Sequence, residues 1–153
     1  VIHQARKNLI DFAIATDPTY QDTWFHEMLA TKLQIALQRV EEGKDVRIIF
    51  ECPPRHGKSE LGTQKFPAWI LGQHPDWPVI TASYSGELAV RFGQNTRDIM
   101  DSPAYQQIFK TRLREDTRSK GYWKTKQNGG YMAAGAGGAI TGSGFKIGII
   151  DDI

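Results

Sequence analysis

A chain of 153 residues that is 40% apolar and 24% charged has the composition of one globular domain with a single core, and its net charge of +2 does not mark it as a nucleic-acid binder. No apolar run reaches the roughly 18 residues that a bilayer span needs, and the opening VIHQARKNLIDF lacks the long apolar core of a secretory signal. One cysteine, Cys52, forms neither an internal disulfide nor a multi-cysteine zinc site, so a reducing cytoplasm is the expected compartment.

Residues 1–21 are mixed and read as an N-terminal extension, with Asp17-Pro18 as a turn; the domain proper is expected over 22–153. From Asp22 to Glu42, Phe25, Leu29, Leu33, Ala36, Leu37 and Val40 recur at helical spacing, and Gly43 supplies a stop. Val46 to Phe50 is a short β-branched and aromatic run that predicts a buried strand. After the stretch ECPPRHGKSE a second helical pattern runs from Lys58 towards Leu71, which Pro67 is expected to kink or divide.

Val79 to Tyr84 predicts a second strand, and Ser85 to Met100 a helix that opens at a serine cap. A shorter helix is expected over 103–109. Strand, helix, strand, helix implies an α/β fold with a mostly parallel sheet and flanking helices. Tyr122–Thr125 and Tyr131–Ala134 flank Gln127-Asn128-Gly129-Gly130, a strong hairpin signal. Gly135–Gly144 reads as a loop with exposed backbone. Phe145 to Ile150 is a third candidate for a buried strand, and a sheet protein that stops three residues later at Ile153 is expected to be a fragment.

Charge is unevenly distributed. Between Lys110 and Lys126 seven basic residues stand against two acidic ones, a local +5 that leaves −3 for the rest of the chain. That segment, interleaved with Tyr122 and Trp123, is either a contact for a DNA backbone or a solvated face.

Phosphate chemistry gives a reason for Gly57-Lys58-Ser59 to lie between a strand and a helix. A tight turn aims successive backbone N–H groups at an anion, the helix N-terminus adds partial positive charge, and glycine lets the backbone approach without a Cβ. The expected cradle is Pro54, Arg55, His56, Gly57, Lys58 and Ser59. Lys58 would reach the β and γ phosphates of a nucleotide, and Ser59 would set its hydroxyl on Mg²⁺. The standard pattern has a glycine at the position of Cys52; here Pro53-Pro54 presets the turn instead, and Arg55 adds a second cation for charge in the transition state. The matching acids are Asp151 and Asp152, at the end of the third strand, where open α/β sheets place their ligands. Asp151 is the expected Mg²⁺ carboxylate and Asp152 the expected general base towards water.

Taken in order, Pro53-Pro54-Arg55-His56-Gly57-Lys58-Ser59, Phe66-Pro67-Ala68-Trp69-Ile70-Leu71-Gly72, Ala82-Ser83-Tyr84-Ser85, Gly137-Gly138-Ala139-Ile140-Thr141-Gly142-Ser143-Gly144-Phe145 and Ile149-Ile150-Asp151-Asp152 make a chain that resembles the ATPase domain of the large terminase subunit of tailed bacteriophages. The resemblance runs from about Tyr20 to the end. It implies a RecA-like P-loop NTPase fold of the additional-strand type, ATP with Mg²⁺, and a homo-oligomeric ring on a portal protein. It further implies a small terminase subunit and double-stranded DNA as partners, in the cytoplasm of a bacterial host. It also implies a coupling motif and a nuclease domain downstream of the ATPase core, and Asp152 stands where related motors often carry Glu. In such motors an arginine reaches a neighbour's γ phosphate; Arg91 and Arg97 are candidates, or else surface cations, with Arg55 an alternative in cis. Tyr20, Trp24 and His26 lie where related ATPases hold adenine, although Trp24 also suits a core position, and Cys52 reads as a small buried filler. The rival readings are another P-loop enzyme, such as a DNA helicase or a small-molecule kinase, and a non-catalytic prophage remnant that at most binds nucleotide.

Overall fold

The run Val79-Ile80-Thr81 is β-branched throughout and buried, which suits a strand covered on both faces. In the computed structural model, which describes residues 2–53, 57–135 and 144–151, it forms the strand β1 (Pro78–Ser83). β1 has a parallel partner on each side, β4 (Gly130–Gly135) and β5 (Ile147–Asp151). β3 (Tyr122–Thr125) pairs antiparallel with β4, and β2 (Leu113–Arg118) antiparallel with β3, so the sheet order is β2-β3-β4-β1-β5.

The protein is therefore α/β, but its sheet is mixed rather than mostly parallel. Two antiparallel pairings come from local connections: β3 and β4 are joined by the predicted hairpin, with Asn128 in the left-handed region at φ 69°, and β2 returns from the segment read only as basic. The β3–β4 hairpin is fixed by a stack of Trp123 on Tyr131, with ring centroids 5.3 Å apart. Trp123 also donates through Nε1 to the carbonyl of Gly93 at 3.0 Å. At Gly93 a Cβ would lie 2.7 Å from the Lys120 carbonyl oxygen, so only glycine permits this approach.

Six α-helices are described. α1 (Ile2–Lys7) and α2 (Leu9–Thr16) arise in the stretch whose period was too short to read, and Ala5, Leu9, Phe12 and Ala13 are fully buried. Phe12 meets the rings of Tyr105 and Phe109, and Trp69 donates from Nε1 to the Ala5 carbonyl at 3.0 Å. α3 (Trp24–Glu41) is the predicted amphipathic helix, with Leu29, Leu33 and Leu37 buried. The pattern after Lys58 divides as Pro67 implies: a π-helix over Glu60–Lys65 leads into α4 (Phe66–Gln73), with proline in its first turn. α5 (Gly86–Asp101) opens at Ser85, whose hydroxyl accepts from the Leu88 amide, and α6 (Pro103–Ile108) opens at Ser102 in the same way. Among the described helices none is long and apolar enough to cross a membrane.

One predicted element is overturned. Residues 46–50 form no strand: they pair with no described strand, and Ile48 and Ile49 are exposed, the latter by 86%. A β-branched run gains its stability from cross-strand partners, and without a ladder its propensity is not realised. Only Phe50, half-buried, packs against the core.

Candidate functional site

Two junctions flank the loop that carries Gly57, Lys58 and Ser59. Pro54, Arg55, His56 and Asp152 lie outside the described residues, as does most of the glycine-rich stretch, 136–143. Gly57 has φ +77°, the left-handed region that favours glycine, and a helical turn starts directly after it, with the Leu61 amide bonding the Gly57 carbonyl at 3.2 Å. Lys58 and Ser59 are half-buried in that first turn.

The first junction joins this turn to the start of α3. A Cβ on Gly57 would lie 2.8 Å from Nε2 of His26, so the imidazole closes directly over the loop backbone. His26 is held in place by the Thr23 amide, which donates to Nδ1 at 3.1 Å as half of a capping box. With Nδ1 accepting, the neutral ring carries its proton on Nε2 and presents it towards the loop. An open cavity of about 520 Å³ lies here, lined by Tyr20, Thr23, Phe25, His26, Gly57 and Glu60 among others. Burial pushes the Tyr20 phenol up to about 12, with Glu60 and Asp22 adding to the shift. Beneath it Lys65, 4% exposed, sits between Asp17 at 3.7 Å and Glu60 at 3.6 Å with its ammonium 5.3 Å from the Tyr20 ring centroid. Asp17 is held below the usual carboxylate range, first by the Thr19 hydroxyl, then by the Thr19 amide and Lys65, against the opposing effect of burial. Trp24 is 76% exposed and belongs to no core, against that alternative; Cys52 is half-buried rather than buried.

The second junction joins the π-helix to the end of β5. Thr63 Oγ1 donates to Asp151 Oδ2 at 2.7 Å, and both residues are buried. The sheet register sets Asp151 opposite Ser83 of β1, at the C-terminal ends of two parallel strands. Among the described residues no Lys, Arg or His nitrogen stands within 4.0 Å of the Asp151 carboxylate. A buried carboxylate whose one side-chain partner among the described residues is a neutral hydroxyl is suited to a cation, because ionised groups are costly to bury without an opposite charge. No group of three or more His, Cys, Asp or Glu stands ready to cage a metal among the described residues. Mg²⁺ does not require one, since it takes one or two carboxylates together with phosphate oxygens and water.

Thr63, Lys65 and Glu60 were not singled out from the sequence. The readable signal was spacing: Thr63 follows Ser59 by four residues, one helical turn, on the helix that leaves the loop.

The cations elsewhere divide sharply. Arg97 is half-buried and donates to the Arg118 carbonyl at 2.8 Å, whereas Arg91 is exposed. In the basic segment Arg112 donates to the carbonyls of Gln106, Phe109 and Thr111, Arg114 grips Asp116 and Asn128, and Arg118 pairs with Asp101. Lys110, Lys120 and Lys126 are exposed.

Residues 49–153 match the family described as terminase large subunit, T4likevirus-type, N-terminal. The match spans the loop, β1 and β5. Searches of curated proteins and of solved structures give no match.

Proposed function

The chain belongs to the N-terminal family of the T4-like large terminase subunit, which points to phage DNA packaging, and from that premise we propose that it is the ATPase part of such a motor, coupling hydrolysis of Mg-ATP to translocation of double-stranded DNA into a procapsid. The fold assigned by this reading is a P-loop NTPase. The observation that carries it is the bond from Thr63 to Asp151, which joins the acidic end of β5 to the helix that opens at Gly57, Lys58 and Ser59.

In this reading the amides after Gly57 and the ammonium of Lys58 bind the phosphate tail, with Arg55 as a second cation. Ser59 and Asp151 hold Mg²⁺, which when bound neutralises phosphate charge. Asp152 accepts a proton from the attacking water. Pro54 and His56 complete the loop, and Tyr20 and His26 border the cavity that receives the base. Arg91 is the exposed arginine available to a neighbouring subunit of a ring, since Arg97 is engaged with Arg118. A portal protein and a small terminase subunit are the partners this function requires, in the cytoplasm of the bacterial host.

The test is phosphate release and DNA packaging by the full-length protein. Lys58→Ala is expected to lower turnover by at least about 100-fold, the effect of removing one charge-stabilising donor. Undiminished turnover in that variant would remove the loop assignment. Duplex DNA should stimulate the wild type without strand separation; unwinding would move the protein to the helicases.

A further inference from the structure

We infer that Thr63 is a positioning residue for Asp151: its hydroxyl fixes one carboxylate oxygen so that the other is aimed at the cation. The inference rests on the reading of Asp151 as a Mg²⁺ carboxylate and adds to it a residue outside the loop motif. Thr63 is 3% exposed and Asp151 7%, so neither exchanges this bond freely for water. The bond occupies Oδ2; among the described residues Oδ1 accepts no side-chain hydrogen bond.

The backbone around Thr63 is built to hold that hydroxyl. Residues 60–65 form a π-helix, in which the Phe66 amide reaches back to the Leu61 carbonyl. Such widened turns leave some carbonyls to be satisfied from outside and recur at functional sites. Two neighbouring elements approach these carbonyls: the Thr96 hydroxyl of α5, whose shorter bond at 2.9 Å goes to the Phe92 carbonyl, lies 3.3 Å from the Gln64 carbonyl, and the Tyr131 hydroxyl of β4 stands 3.5 Å from the Thr63 carbonyl, a long bond. Tyr131 is itself clamped by its stack on Trp123, and burial first, with a smaller contribution from the Asp151 charge, holds its phenol protonated well above the usual range. The helix turn is thereby fixed against α5 and the sheet, and the carboxylate is fixed through it. A two-atom linkage from a rigid turn orients a ligand oxygen more sharply than strand register does, because register sets the Cα and leaves χ1 and χ2 of Asp151 free.

The experiment is Mn²⁺ binding, followed by the electron paramagnetic resonance of the free ion, to the full-length protein saturated with a non-hydrolysable ATP analogue. Thr63→Val keeps the shape and removes the donor; it is expected to weaken Mn²⁺ about 10-fold or more, within the range for outer partners of metal ligands. Thr63→Ser should return the affinity to within about 3-fold of wild type, since the hydroxyl is restored. Thr63→Ala serves as a second donor-free variant should valine prevent folding, and the thermal midpoint without ligand reports the fold separately. Wild-type Mn²⁺ affinity in the folded donor-free variants, together with loss in Asp151→Asn, overturns the role of Thr63 and leaves the reading of Asp151 standing. Unchanged affinity in Asp151→Asn overturns that reading, and the role of Thr63 with it.

Discussion

The Lys65 ammonium lies 3.7 Å from the Asp17 carboxylate and ties the end of α2 to the π-helix beneath the candidate cavity. With 4% of its side chain exposed, Lys65 is as much a core residue as a cation. Its four-carbon stem fills space that alanine would leave empty, and its charge is compensated by Asp17, Glu60 and the face of Tyr20. The two contributions separate by substitution. Lys65→Met keeps the volume and removes the charge, and is expected to cost less than about 1.5 kcal/mol, since an apolar chain of similar size is tolerated and the two carboxylates left behind, Asp17 at 34% and Glu60 at 46% exposure, are solvated by water. Lys65→Ala should cost about 2–4 kcal/mol, in the range for emptying a core site. Urea unfolding of both variants checks the order; a methionine variant less stable than the alanine variant would show that charge, rather than volume, holds this junction.

Tyr20 provides the pH dependence. Its phenol is pushed up to about 12 by burial, against about 10 in an unfolded chain, and its hydroxyl has no hydrogen-bond partner among the described residues. Below pH 10 both states are protonated, and the raised value has no effect on stability. As pH rises from about 10 to 12 the unfolded chain releases a proton that the folded chain retains, so stability falls across that window. Tyr105 and Tyr131 are raised as well and add to the loss, so Tyr20's share is isolated by Tyr20→Phe. That variant is expected to lie within about 1 kcal/mol of wild type at pH 8, because no bond is lost. At pH 11 it should be the more stable of the two relative to their difference at pH 8. Equal alkaline slopes in denaturant titrations of the two proteins would contradict the burial of this ring.

Much of this architecture was legible because it is locally encoded. Ser85 announces α5 by a serine followed by a helical period, and its hydroxyl accepts from the Leu88 amide. Asn128 announces the β3–β4 turn because few other residues tolerate a positive φ. What failed depended on partners distant in sequence. Residues 46–50 have strand composition without a strand beside them, whereas β2 has charged composition, LREDTR, yet becomes a strand because β3 offers a ladder edge. α1 and α2 are too short for a period to stand out, and their burial depends on Trp69, Tyr105 and Phe109, more than 50 residues away. In the candidate site Gly57 and Asp151 were singled out from motif chemistry. Thr63 was not, since a threonine in a helix acquires meaning only when a carboxylate 88 residues later arrives at 2.7 Å.

The basic segment yields a prediction about DNA. Counting its seven cations as equal DNA contacts overstates them, because Arg112, Arg114 and Arg118 spend their donors inside the protein. The Asp116 carboxylate, through its hydrogen bonds, raises Arg114 above its usual value and is itself lowered in return. The exposed Lys110, Lys120 and Lys126 have no acidic partner within salt-bridge reach among the described residues. If this face touches a duplex, each lysine that neutralises a phosphate contributes about −0.9 to the slope of log affinity against log salt. Lys120→Gln with Lys126→Gln in the full-length protein should therefore flatten that slope by nearly 2 and weaken binding equally for all sequences, while leaving thermal stability unchanged. Arg112→Gln should do the reverse: it breaks three bonds to carbonyls at the end of α6, so it lowers the unfolding midpoint while the salt slope stays near that of wild type. Fluorescence anisotropy with a labelled duplex at several salt concentrations reads both, and an unchanged slope in the double lysine variant would turn DNA away from this face.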